Sequence, residues 1–129
     1  MASGSTQACG LTILRIVVGI VFLVHGYQKL FHMGFHGVAG FFSHAGIPLP
    51  LVSAVVVTLV EFVGGIALIA GIGVRIAGAL LAVDMLVAIL VVHIKHGFFN
   101  PMGFEFPLTL LAATLCLALS GGGMFSLKK

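Results

Sequence analysis

Long apolar runs alternate along the chain with short connections that hold most of its polar residues. Four runs are long enough to cross roughly 30 Å of hydrocarbon at about 1.5 Å per residue. They lie at about residues 11–31, 51–71, 74–94 and 106–124. Only Ile72 and Gly73 separate the second run from the third, which predicts a tight antiparallel hairpin. The pattern therefore predicts an all-α fold, an integral membrane four-helix bundle, in a single transmembrane domain over residues 1–129.

The two connections opposite this hairpin turn carry much of the glycine, histidine and phenylalanine. His32–Pro50 is too apolar for a solvated loop, and we expect an interfacial or re-entrant segment between helices one and two. Arg15 and Arg75 stand near the start of the first and third runs, and Pro50 and Pro107 open the second and fourth. This weak two-fold repeat raises the hypothesis that a helical hairpin was duplicated.

Composition agrees with a membrane location. The chain has 129 residues, of which 60% are hydrophobic and 7% charged, and its mean hydropathy is +1.29. Soluble domains carry about 25% charged residues, so membrane lipid is the expected surrounding. The few basic residues are scattered and form no patch that would bind nucleic acid.

Orientation follows from the positive charges. With four spans, both termini and the Ile72–Gly73 turn lie on one side of the membrane. That side holds Arg15, Arg75, Lys128 and Lys129, whereas the other holds Lys29 and Lys95. The positive-inside rule therefore predicts that the N- and C-termini are cytoplasmic.

Two carboxylates lie near the middle of apolar runs. Glu61 and Asp84 are each about eleven residues, or roughly 17 Å, from the hairpin turn, so they are expected at one depth. An acid in the centre of a membrane helix costs about 2.5–3.5 kcal/mol, which indicates a use. Either the acids do chemistry, or they hold helices together by bonding to each other or Thr58, or by pairing with Arg15 or Lys29. We expect at least one of them to be neutral at pH 7, since two adjacent anions in hydrocarbon are prohibitive.

Other polar side chains extend this pair into a ladder toward the side opposite the hairpin turn. The candidates for ligand binding or a proton path are His25, Lys29, Glu61, Asp84, His93 and Glu105. Such a ladder is typical of a proton path, or of a pocket for a lipid-soluble ligand with a polar head, such as a quinone. Quinone reduction takes up protons as well as electrons, so its site needs titratable groups beside an apolar cleft. No single residue is assigned a catalytic role.

Metal and thiol chemistry are not indicated. His32 and His36 have a spacing that can serve a metal, but nearby glycines predict a poor helix and no third ligand stands close in sequence. Cys9 and Cys116 form no CxxC pair and lie at different predicted depths, so no disulfide is expected. No covalent cofactor is predicted, and the chain has no nucleotide-binding motif, so electrons for a redox reaction would come from a partner.

Several short motifs together resemble one family. They are Leu14-Arg15, His25–Phe31, Phe41-Phe42, Gly46–Pro48, Val60–Gly65, Gly97–Phe99, Gly103–Leu108 and Ser126-Leu127. In this arrangement the chain resembles, over nearly its whole length, the DoxX family of small bacterial membrane proteins. The resemblance implies a four-helix, multi-pass protein of the bacterial cell inner membrane. It also implies a link to thiosulfate:quinone oxidoreduction, or to membrane assemblies that handle oxidative stress or thiols.

The family's motif positions fall in this sequence on Arg15, His25, Lys29, Glu61, Arg75, His93 and Glu105. The chain departs from the family pattern at its end, where Gly122–Phe125 replaces an expected Pro-Gly-Arg-Tyr and no terminal acid follows. Asp84 is a second departure, because many relatives are apolar there.

Two function classes remain open. The first is a quinone-interacting membrane subunit of a redox system, linked to thiosulfate, thiols or oxidative stress, with other membrane or redox subunits as partners. The second is a non-catalytic structural or assembly subunit of a larger membrane complex. Small-residue faces such as Gly78–Ala82 suit contacts with other subunits and equally suit packing of the chain's own four helices, so both uses stay open. A transporter is a third and weaker choice. Whether the chain is an enzyme by itself is left open.

Overall fold

The computed structural model describes residues 4–123, most of which are helical. The α-helices are α1 (Gly4–Tyr27), α2 (Gly34–His44), α3 (Pro50–Ala70), α4 (Val74–Ala88) and α5 (Glu105–Ser120). A π-helical segment, Gln28–Met33, continues α1, and another, Ile89–His93, continues α4. A single 3₁₀ turn, Ile94–His96, follows the second π-helical segment.

The helices agree with a membrane bundle. Three helical stretches are long and apolar enough to cross a membrane, namely Gly4–His44, Pro50–Ala70 and Val74–His96. The apolar α5 has 16 residues and is about 24 Å long at 1.5 Å per residue, which is short for a full span. The all-α membrane bundle is confirmed, whereas the exact crossings and the cytoplasmic termini stay predictions. Lys128 and Lys129, which support that orientation, lie outside the described residues, as does Met124 at the end of the fourth expected span.

The hairpin between α3 and α4 is as tight as its two-residue connection predicts. Gly71 and Gly73 flank the turn with φ of 75° and 55°, left-handed values that glycine adopts without steric cost. We call this end of the bundle the turn end, and the opposite end, which carries α2 and residues 97–104, the loop end.

Glycines bring the helices together as two close antiparallel pairs, α1 with α3 and α4 with α5. A Cβ added at Gly65 of α3 would lie 2.5 Å from the backbone nitrogen of Leu23 in α1. A Cβ added at Gly78 of α4 would lie 2.8 Å from the carbonyl oxygen of Thr114 in α5. Small residues permit such approach in membrane bundles. Gly78, considered above for contacts with other subunits, therefore packs inside its own chain.

Gly65→Ala is expected to lower stability, because the added methyl group meets the α1 backbone, which cannot move without separating the pair. We expect a loss of about 1–3 kcal/mol, the usual cost of overpacking. The measurement is the temperature at which the protein loses its monodisperse elution peak in detergent. Gly40→Ala on α2 is the matched control, since nothing lies within 4 Å of its added Cβ. Equal midpoints for the two variants would contradict the close pairing.

Each helix pair is fastened at the turn end by an arginine. Arg15 of α1 is 1% exposed. Its guanidinium donates hydrogen bonds to the carbonyl oxygens of Leu68, Ile69 and Gly122, at 2.8, 2.7 and 2.8 Å. Arg75 of α4 donates at 2.6 Å to the carbonyl oxygen of Leu119, near the end of α5. Carbonyls in the last turn of a helix have no intrahelical donor, so each arginine caps the second helix of its pair.

The same order of features recurs in both pairs. An arginine is followed by a π-helical segment, and then by a glycine with positive φ: Gly34 at 72° in the first half and Gly97 at 79° in the second. This recurrence supports the hypothesis of a duplicated hairpin in geometry as well as in sequence. The two halves differ beyond this glycine, because only the first inserts a helix, α2, before its second long helix.

The segment between the first two long helices is itself helical. The expectation that its glycines make a poor helix is wrong, because α2 runs from Gly34 to His44. Gly34 (φ 72°, ψ 165°) interrupts the helical path. Beyond it, α2 packs against α3, with Val38 and Phe42 buried against Ala54. This contact places α2 beside the space between the long helices at the loop end.

Candidate functional site

A cavity of about 620 Å³ occupies the loop end of the bundle. Its walls are mostly apolar and come from every helix, as shown by Phe22, Val38, Phe42, Val57, Met85 and Leu110. One lysine and two acids, Lys29, Glu61 and Asp84, also line it. The cavity therefore combines apolar walls with a small charged cluster, which we call the polar floor.

An ion pair forms the first part of the polar floor. Lys29 Nζ lies 2.5 Å from Glu61 Oε1. Glu61 is 3% exposed, whereas Lys29 is partly exposed. Pairing offsets the cost of burying the carboxylate, which an isolated charge in an apolar site would not recover. Lys29 belongs to the first π-helical segment, and such segments often occur at functional sites.

Asp84 forms the second part of the polar floor. Its carboxyl group interacts with that of Glu61, which agrees with their common predicted depth. Its Oδ2 is buried and has no donor among the described residues. Two carboxylates are both acceptors, so a hydrogen bond between them needs a proton on one. Thr58, considered above as a partner, bonds to neither acid, because its buried hydroxyl has no partner in residues 4–123.

The polar floor is expected to hold a buried protonated carboxyl group at pH 7, since one ammonium faces two acids. Infrared difference spectra should show its stretching band, and Asp84→Asn or Glu61→Gln should remove it. Glu105→Gln is the control, because Glu105 does not line the cavity and should leave the band unchanged. If neither floor variant alters any such band, both acids are ionised and the expectation fails.

Two histidines also line the cavity. His25 lines the cavity from α1, and its ring centroid is 6.1 Å from that of Phe106 on α5. His93 lines it from the second π-helical segment, and its Nδ1 is 2.9 Å from the carbonyl oxygen of Met102. This contact holds the loop 97–104 against the helix. Asn100 in that loop also lines the cavity.

The structure brings most of the predicted candidates together. His25, Lys29, Glu61, Asp84 and His93 all line the cavity. Glu105 is not among the lining residues. Its carboxylate accepts a hydrogen bond from the backbone N–H of Asn100, which does line the cavity, and so shapes the loop. Of the two cations considered as partners for an acid, Arg15 does not pair with one, because it binds backbone carbonyls at the turn end.

Three polar lining residues, Gln28, Ser53 and Asn100, were missed. Gln28 lines the cavity and follows His25 by three positions, which places both on neighbouring parts of one helical face. That spacing was a usable signal. Asn100 carries no such signal, because it lies in an irregular loop and its place depends on how the chain folds back.

The remaining histidines and both thiols lie apart from this site. His32, His36, His44 and His96 are exposed and do not line the cavity. Cys9 and Cys116 are free thiols. Within residues 4–123, no three His, Cys, Asp or Glu side chains are grouped so that they could hold a metal ion.

Fold and site together define a small α-helical membrane protein with a charged cluster at the floor of an apolar cavity. The model of the DoxX family matches residues 10–94, and the chain belongs to this family. The family membership expected from the sequence motifs is thus confirmed.

Several bacterial proteins are similar over most of their length. A Bacillus subtilis protein named "Putative oxidoreductase CatD" is 36% identical over 92% of this chain and 84% of its own length. "Inner membrane protein YphA" of Escherichia coli is 26% identical over 98% and 93%. "Uncharacterized membrane protein Rv3486" of Mycobacterium tuberculosis is 32% identical over 90% and 77%. No solved structure matches the chain significantly.

Proposed function

We propose that this chain is a multi-pass protein of the bacterial inner membrane that binds a quinone in its cavity. In this proposal it serves as the quinone-interacting membrane subunit of a redox system linked to thiosulfate, thiols or oxidative stress. One observation carries the proposal. The Lys29–Glu61 ion pair and the carboxyl group of Asp84, whose Oδ2 has no hydrogen-bond partner within residues 4–123, line the same, otherwise mostly apolar cavity. A similar protein named as an oxidoreductase and another named as an inner membrane protein support the class and the location.

The lining suits the ring of a quinone. Small-molecule sites measure about 300–1,000 Å³ and pair apolar walls with a few placed polar groups, as this cavity does. Quinone oxygens accept hydrogen bonds, and Lys29, His25 and Gln28 are the donors that line it. The Oδ2 atom of Asp84 has no hydrogen-bond donor within residues 4–123, so it is available for a further polar contact with the ligand.

A bound quinone supplies the capacity to accept two electrons and two protons, and a redox partner supplies the electrons. The chain's own residues handle the protons. In this proposal Asp84 and Glu61, whose carboxyl groups interact, share one of these protons close to where the ring oxygens bind. Lys29 fixes the position of the Glu61 carboxylate, and its positive charge offsets negative charge that develops on the ring.

The test is native mass spectrometry of the protein released gently from its own membrane. We expect a retained mass of quinone size, lost in Glu61→Gln and in His25→Ala but kept in Glu105→Gln, which alters a carboxylate outside the cavity. Titration with a quinone should show affinity lowered about tenfold or more in the first two variants, as loss of a charged contact predicts. Companion subunits without any small ligand would overturn the proposal in favour of a structural subunit.

A further inference from the structure

Three valines mark an opening in the side of the cavity. Val52 and Val56 on α3 and Val87 on α4 all line the cavity. The same side chains are 58%, 54% and 45% exposed. A side chain that both lines a cavity and is exposed lies at an opening, so the cavity opens between the loop-end halves of α3 and α4. We call this opening the valine slot.

The hairpin geometry explains why the slot lies there. At the turn end, α3 and α4 are held together by the short Ile72–Gly73 connection. Further along, a Cβ at Gly64 would lie 3.2 Å from side-chain carbons of Leu81, so the helices are still in close contact. Beyond that level both helices line the cavity, α3 through Val52 and Val56 and α4 through Val87. The hairpin is therefore closed at the turn end and open at the loop end.

The edges of the slot are aliphatic and face lipid. They lie in Pro50–Ala70 and Val74–His96, two stretches apolar and long enough to cross a membrane. The polar lining residues that are also exposed, His25, Gln28 and Asn100, belong to α1, its π-helical extension and the outer loop. An apolar tail thus has an apolar way out past the valines, because the polar lining residue beside them, Ser53, donates its hydroxyl to the carbonyl oxygen of Pro48.

Resting on the quinone site proposed above, we propose that the ligand enters sideways from the bilayer through the valine slot and leaves its tail there. A cavity of about 620 Å³ is the size of a drug-like ligand, so a long polyprenyl tail continues outside it. The ring lies on the polar floor, and the tail passes between Val56 and Val87 into lipid. The slot valines are therefore specificity-determining residues for tailed ligands.

The test compares two quinones in nanodiscs: tetramethylbenzoquinone, which is a ring without a tail, and a benzoquinone with a decyl tail. Val56→Trp/Val87→Trp narrows the slot. Val63→Trp/Val83→Trp is the matched control, because these valines lie on the same helices, are 57% and 60% exposed, and do not line the cavity. We expect the slot variant to lose about tenfold or more in affinity for the tailed quinone and about twofold or less for the bare ring. The control variant should keep both affinities.

Each outcome separates the two proposals. Equal losses for both quinones, or unchanged binding of the tailed one, overturn the slot while the quinone site stands. Failure of the unaltered protein to bind either quinone overturns the site itself.

If the double variant does not fold, the single variant Val56→Trp provides a second test, since the natural chain contains no Trp and the introduced indole is then the only one. The fluorescence of the introduced indole should be quenched by lipids with brominated acyl chains and more strongly by the tailed quinone than by the bare ring. Equal quenching by the two quinones overturns the slot.

Discussion

Arg15→Met is expected to destabilise the protein more than any other single change of a polar residue. The variant keeps side-chain length but removes a buried guanidinium and its bonds to Leu68, Ile69 and Gly122. Charge-assisted hydrogen bonds contribute about 1.5–3 kcal/mol each, and the carbonyls left behind would be buried without donors. For three such bonds we expect a loss of about 5 kcal/mol or more, measured as the free energy of unfolding in a mixed-micelle denaturant titration.

Arg75→Met is the control for this effect. It has the same chemistry at the corresponding place in the second helix pair, but Arg75 is exposed. Water replaces its bond readily, so the loss should stay under about 1 kcal/mol. If both variants lose the same stability, burial of Arg15 is not what fastens the first pair.

Lys29→Met should have the second largest effect, on both stability and ligand binding. It leaves Glu61 buried without its cation, and breaking a buried pair from one side costs about 3–5 kcal/mol. Glu61→Gln should cost less, because Lys29 is partly exposed and its ammonium can extend to water. Unfolding free energies of the two variants in the same detergent measure the difference.

The double variant Lys29→Met/Glu61→Gln isolates the interaction. With both charges gone, stability should return to within about 1 kcal/mol of the unaltered protein, whereas quinone binding should remain lost. Additive losses in the double variant would show that the two side chains act independently. Retained quinone binding would show that the ion pair is structural only.

Much of the bundle could be predicted because membrane helices are governed by local composition and length. The apolar runs located the helices, and the two-residue connection predicted the α3–α4 hairpin. Counting from that turn placed Glu61 and Asp84 at one depth, and both line the same cavity, where their carboxyl groups interact. These results rest on the rise per residue of a helix, which varies little.

The features that could not be predicted depend on contacts between distant segments. Arg15 and Lys29 lie on one face of the first run, each about seven residues from the depth of the acids, so helix geometry could not choose between them. Arg15 does not pair with the acids because its guanidinium donates hydrogen bonds to backbone carbonyl oxygens at the end of α3. Lys29 is the cation that pairs with Glu61. Likewise, the glycines of α2 predict little by themselves, since packing against Ala54 offsets their poor propensity.

The short α5 has a consequence for the surrounding bilayer. At about 24 Å it does not match a hydrocarbon layer of roughly 30 Å, and lipids accommodate a short helix by local thinning. Headgroups and water are thus expected closer to the middle of the bilayer beside α5, which borders the cavity through Phe106 and Pro107. For the proton uptake proposed above, this hydrophobic mismatch would shorten the distance between bulk water and the paired acids without a polar channel through the helices.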